Sequence, residues 1–266
     1  MKRPFQSGLE NIGHAMRESV DRLPRVPQTS SPAPREPQYA ECFRAPRVTL
    51  GPMLSDVWRR DPMRLVFVLA RYKFVARMLA GTRFVAEIGC GDGFASEIVR
   101  VNAFQLDLYD FDPLFVSVAK EFHPRAYQHD IVAAPLPRPY DAIFMLDVFE
   151  HIRPCDERVA VKNIIRSLRY AGDGTFIVGM PSIESQAYAS AQSRAGHVNC
   201  KPGGELRDLM RRYFRNVLLF GMNDEVVHTG FPPMCNYLFA VCSGPLPHAE
   251  FLPVSDEDVT GGNGHG

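Results

Sequence analysis

The chain has 266 residues, 45% hydrophobic and 23% charged, with 30 basic side chains balanced by 30 acidic ones. That balance excludes the global positive field that would gather nucleic acid or anionic lipid, leaving only local patches. The length suits one large domain with extensions and can bury a full core without metal or disulfide staples.

The amino-terminal stretch lacks the apolar core of a secretory signal. Residues 1–52 hold eight of the 22 prolines. They are expected to form a largely disordered extension, with an extended linker from Arg22 to Pro37 and a short helix near Gly8 to Asp21. The pattern changes at Asp61-Pro62. Leu65, Val68, Leu69, Tyr72, Val75, Ala76 and Leu79 then recur at helical spacing until Gly81 stops the run. Arg71, Lys73 and Arg77 interrupt this stretch, so it cannot span a bilayer. Phe84 to Ile88 reads as a short apolar strand that runs into a glycine cluster.

From there strands near 104–110, 126–129, 140–146 and 173–180 alternate with helices near 94–101, 114–122 and 156–170. This alternation predicts an α/β fold with a parallel sheet and helices on both faces. A helix from Gly204 to Tyr213 leads to two strand-like runs, 216–222 and 235–243, expected to pair antiparallel at a sheet edge. The domain is expected over 53–245, and 246–266 reads as a flexible acidic and glycine-rich tail. Six cysteines without any CxxC pair read as free thiols in a reducing compartment, and the protein is expected to be cytoplasmic.

The strongest motif is Glu87-Ile88-Gly89-Cys90-Gly91-Asp92-Gly93, which leaves a strand and enters a helix. Glycines there permit positive φ and close approach of a ligand to the backbone. A dinucleotide fingerprint would place glycine where Phe94 stands, and Glu87 would repel a pyrophosphate while it could order the loop or meet a cation. Asp110 ends the second strand, 21 residues after Gly89, where a carboxylate can accept from both hydroxyls of a ribose. Asp130 follows the third strand, within reach of an adenine amino group. Together these groups fit an adenine nucleoside without phosphates.

With EIGCGDG, YDFDP, QHDI and YDAIFMLDVFEHI, the sequence resembles the class I S-adenosylmethionine-dependent methyltransferases over residues 62–243. It is most similar to the branch with a D/E-V-L-E-H motif, which includes ubiquinone-biosynthesis-type O-methyltransferases. The resemblance implies a Rossmann-like seven-stranded sheet, mostly parallel with an antiparallel last strand. It also implies S-adenosylmethionine as cofactor and S-adenosylhomocysteine as product. By resemblance, Glu87, Gly89, Cys90, Gly91 and Gly93 surround the methionine moiety and Asp110 holds the ribose. Phe111 packs near the adenine, Asp130 and Ile131 lie on its amino side, and main chain at Met145 and Leu146 faces the methionine end.

Methyl transfer to a hydroxyl is an in-line displacement that needs alignment, water exclusion and removal of a proton. His151, just past the fourth strand, and His197, in the Ser193–Asn199 segment, are the expected catalytic residues, as general base or acceptor-orienting groups. Glu150 and His151 could alternatively cap a helix or bond the backbone, and His197 could be a loop hydrogen-bonder. A divalent metal on Asp147, Glu150, His151 and His197 is conceivable from the spacing but is not expected. Tyr72 reads as core, Arg71 as a group that could meet an anionic acceptor, and 222–231 as a hairpin loop that could line the acceptor pocket. MLDV stands where an NPPY-like tetrapeptide would mark base or glutamine N-methylation. The expected activity is therefore O-methylation of a small-molecule or glycan-type acceptor, without nucleic acid as partner and without a membrane span. The alternative is a regulatory module or pseudoenzyme that binds the cofactor without turnover.

Overall fold

A computed structural model describes residues 34–169 and 173–247. The expected helix near Gly8 to Asp21 and the tail beyond Pro247 lie outside these residues. The chain divides into two compact units, one ending at Thr49 and one beginning at Leu50. In the first, within the 1–52 stretch expected to be largely disordered, a 3-10 turn at Pro37–Tyr39 runs into α1 (Ala40–Arg44).

The second unit begins with α2 (Pro52–Arg60) and α3 (Pro62–Met78). Both start with proline, whose missing N–H costs nothing in the first turn, and Asp61 caps α3 by accepting from the Met63 amide at 3.1 Å. There follow β1 (Phe84–Ile88), α4 (Glu97–Arg100), β2 (Gln105–Asp110), α5 (Pro113–Phe122), β3 (Ala126–Gln128) and β4 (Ala142–Leu146). Then come α6 (Glu157–Ser167), β5 (Thr175–Pro181), α7 (Ala191–Gly196), α8 (Gly203–Arg211), β6 (Phe214–Asn223), β7 (Val226–His228) and β8 (Tyr237–Pro245).

The strands form one sheet in the order β3-β2-β1-β4-β5-β8-β6-β7. The first five are mutually parallel, while β8 runs antiparallel between β5 and β6. The sheet thus has eight strands rather than the expected seven. The extra one, β7, lies in the segment read as a loop: Asp224 takes a left-handed turn (φ +52°), which brings Val226 opposite Asn223. Helix α4 is also shorter than expected, with residues 94–96 forming turns ahead of it.

Alternation along the strands divides the core between the two faces. Ile88, Ile143, Met145 and Val178 pack with α6 and α8, whereas Val85, Phe144 and Ile177 pack with α3 and α5. No helix among the described residues is long and apolar enough to cross a membrane. Strand order reverses between β1 and β4, and in open parallel sheets the crevice outside such strand ends is where ligands bind.

Candidate active site

The loop leaving β1 occupies that crevice. Gly89, Gly91 and Gly93 all have positive φ (+76°, +53° and +72°), a backbone path that L side chains rarely adopt. At Gly89 a Cβ would also overlap Val148 Cγ2, so the glycine lets the segment after β4 close against the loop. Asp110 Oδ2 accepts from the Gly91 amide at 3.0 Å and its Oδ1 from the Asp112 amide at 3.0 Å. A carboxylate has about four lone-pair sites, so acceptor capacity remains for a ligand. Burial raises the Asp110 carboxyl, while these amides pull it down. Asp130 Oδ1 accepts from Val132 at 2.8 Å, beside buried Ile131.

A cavity of about 320 Å³ is lined by Ile88, Gly89, Phe111, Asp130, Val148 and His151, among others. Phe111 is 71% exposed there and free to lie against a planar ring. Cys90, Met145 and Leu146 are buried and are not among the residues that line this cavity. Burial raises the Cys90 thiol far above its ordinary range and keeps it protonated.

Glu87 is fully buried at the end of β1. Its Oε1 accepts from the Tyr72 hydroxyl at 2.7 Å and its Oε2 has no partner. Burial raises the carboxyl to about 7, and the Tyr72 hydroxyl opposes that rise. Tyr72 is therefore core and also a ligand of Glu87. Its neighbour Arg71, expected to face an acceptor, instead pairs with Asp147 at 2.7 Å and stacks over the Tyr237 ring at 3.9 Å. Asp147 holds a left-handed φ of +54°, uncommon for a non-glycine residue, which turns the chain sharply out of β4.

The turn Phe149–His151 follows. Segment 182–201 docks on it: the Val198 and Asn199 amides donate to the Glu150 carbonyl at 2.8 and 3.0 Å. Lys201 pins the far end of the segment, with Nζ 2.9 Å from both Glu157 and Glu205. This return brings His197 against His151, with ring centroids 5.1 Å apart. His151 Nδ1 bonds the Gly196 carbonyl at 2.8 Å and His197 Nδ1 bonds Gln186 Oε1 at 2.8 Å. Both oxygens can only accept, so each Nδ1 is the donor, and in the neutral ring each Nε2 would present a lone pair. Burial, then His151, lowers the basicity of His197.

Glu150 is the residue that sequence reasoning undervalued. It is fully buried with both carboxylate oxygens unpartnered, and burial followed by the Asp147 charge pushes its carboxyl well up. One ligand atom from each of Glu150, His151 and His197 lies within 4.8 Å of the others. Two imidazole lone pairs and an unsatisfied carboxylate are a donor set that suits a divalent transition metal. Asp147, which the spacing had included, is engaged by Arg71 instead. Asp92, absent from the expected site residues, is buried and accepts from the Leu54 amide at 3.0 Å.

The switch-point loop and the strand order define a class I S-adenosylmethionine-dependent methyltransferase fold. The chain belongs to the methyltransferase-domain family, whose profile matches residues 64–217. Curated protein sequences give no match. Among solved structures, the fold resembles a chain from the Haloferax volcanii complex of the Trm112 methyltransferase activator with a methyltransferase (17% identity, TM-score 0.56, covering 75% of this chain and 100% of that one). It also resembles a TehB-like S-adenosylmethionine-dependent methyltransferase from Corynebacterium glutamicum (18% identity, TM-score 0.53, covering 72% and 96%). A third likeness is to the methyltransferase domain of bacterial CtHen1-C (16% identity, TM-score 0.55, covering 66% and 97%). At these identities the likeness concerns the fold.

Proposed function

We propose that the chain transfers the methyl group of S-adenosylmethionine to a hydroxyl oxygen of a small-molecule or glycan-type acceptor. The single observation that carries this reading is that one cavity is lined by both Gly89 of the cofactor loop and His151. The cofactor, when bound, supplies an electrophilic methyl on a sulfonium. In this reading Asp110 accepts from the ribose hydroxyls, Asp130 accepts from the adenine amino group, and the Glu87 carboxylate answers the positive charge of the methionine end. The orphaned Glu87 Oε2 and the side-chain-free glycine path support that fit. His151 and His197, each with Nδ1 engaged and Nε2 free, take or orient the acceptor proton.

Calorimetric titration with S-adenosylmethionine and S-adenosylhomocysteine tests the cofactor, followed by an acceptor screen for methyl incorporation. Micromolar binding with turnover on hydroxyl acceptors supports the reading. Binding without turnover on any acceptor favours a regulatory module, and no binding to either ligand overturns both.

A second reading has its own observation, the two unpartnered oxygens of buried Glu150 beside two free Nε2 atoms. Here Glu150, His151 and His197 hold a divalent transition metal, which would supply Lewis acidity to the acceptor oxygen. Equilibrium dialysis against zinc and manganese tests it. Stoichiometric retention lost in Glu150→Gln supports a metal, and equal retention by the two proteins sinks it.

A further inference from the structure

We propose that Asp92 is a positioning residue that fastens helix α2 onto the cofactor loop and thereby sets how long the cofactor stays bound. The inference rests on the reading that this loop holds S-adenosylmethionine.

Helix α2 has no cap of its own. Its N-cap residue is Gly51, without a side chain, and the first turn of any helix leaves amide donors unsatisfied. The cap comes from 38 residues away, where Asp92 Oδ2 accepts from the Leu54 amide at 3.0 Å. Asp92 Oδ1 reaches back to the Phe94 amide at 3.4 Å, inside the glycine loop. One buried carboxylate thus bridges the loop and the electropositive end of α2. Gly51 is what allows the approach, since a Cβ there would overlap Asp92 Cβ and Cγ. The loop is equally close-fitting from its side, because a Cβ on Gly91 would stand 2.9 Å from Met53 Cε.

Two further ties come from α3, which follows α2 after Asp61. Tyr72 donates to Glu87 at the entrance of the loop, and Arg71 pairs with Asp147 beyond β4. The helical pair therefore touches the start of the loop, its middle and the neighbouring strand end. Those are three sides of the place where a ligand of this loop lies. Tyr72 and Arg71 hold the middle of α3, whereas the leading end of α2 is held by the Asp92 cap, the Met53 contact and the buried Leu54 side chain. Removing the cap should let that end lift while the sheet and α3 stay in place.

The test measures S-adenosylhomocysteine dissociation by stopped flow and amide hydrogen exchange over residues 52–60. In Asp92→Ala, dissociation should accelerate about tenfold, the factor that loss of a helix cap carries, and Leu54 and its neighbours should exchange faster while β1 amides keep their protection. Asp92→Asn keeps an acceptor oxygen and should behave like the parent. Unchanged dissociation in Asp92→Ala, or equal acceleration in the Asn variant, would overturn the proposal. If Asp92→Ala does not fold, the unmutated chain still decides. Bound S-adenosylhomocysteine should slow exchange across residues 52–60, and no change there counts against the inference. Failure of the unmutated chain to bind S-adenosylhomocysteine falls on the cofactor reading; binding with unaltered release in Asp92→Ala falls on the role of Asp92 alone.

Discussion

The Tyr72 hydroxyl donates to Glu87 Oε1 at 2.7 Å, joining the helix before the sheet to the strand that enters the cofactor loop. Burial holds the Glu87 carboxyl at about 7, so near neutral pH it is poised between neutral and charged forms. Below that value the protonated form prevails, and above it the carboxylate. A cationic cofactor shifts that balance by favouring the carboxylate.

The stability consequence has a definite sign. The folded-state value lies above the ordinary 4.5 of a glutamate. The contribution of neutral Glu87 is therefore complete below pH 4.5 and is lost as pH rises through 7, by roughly 3 kcal/mol in total. Glu87→Gln, which stays neutral, should gain stability relative to the parent across this window in urea titrations of the ligand-free protein. A difference that does not vary with pH would contradict the assignment.

Gly89→Ala should be severely destabilising. The substitution combines a left-handed φ of +76° with overlap against Val148 Cγ2, and backbone strain of this kind alone costs about 1–3 kcal/mol. Adding Val148→Ala should recover the steric part and leave the backbone part. Denaturant midpoints of the single and double variants separate the two, and full recovery would show that φ carries no cost here.

Asp110→Ala should weaken S-adenosylhomocysteine binding by about a hundredfold, the scale of losing two hydrogen bonds to a charged acceptor. Part of that loss comes through the Gly91 amide, which Asp110 Oδ2 holds in place. Near-unchanged affinity by calorimetry would remove the ribose assignment.

His151→Ala and His197→Ala should each lower turnover by about 10²- to 10⁴-fold, the usual range for a proton-transfer group. Cofactor affinity should stay within about threefold of the parent. Because the rings stand 5.1 Å apart and share the docked segment, the double variant should lose little more than the worse single one. Strictly additive losses would mean that the two act separately, and full turnover in both variants would place the chemistry elsewhere.

Local chemistry made much of this protein legible from its residues in order. Glycine at three positive-φ positions, proline at the start of α3, and apolar runs of strand length are short-range signals that outlined the sheet and the cofactor loop, whereas α2 was not read from them. The eighth strand escaped them because Asp224 enters a left-handed turn without a glycine, and the pairing of Val226 with Asn223 is visible only once that turn is made. The pattern also brought Glu87, Asp110, Asp130 and His151 forward as candidates.

Which of those side chains meet, and which are already engaged within the fold, was decided only in three dimensions. Arg71 reads as a cation that could meet an anionic acceptor until Asp147, 76 residues later, arrives 2.7 Å away. Asp92 is only one position of the glycine motif in the sequence, and it gains its role when α2 brings Leu54 to it. His197 becomes a neighbour of His151 because Lys201 anchors the returning segment on Glu157. Glu150 acquires its unpartnered, buried carboxylate from that same return. The physical reason is common to all four. Backbone preference acts over a few residues, whereas burial and charge pairing depend on which distant segments the sheet topology brings to one strand end.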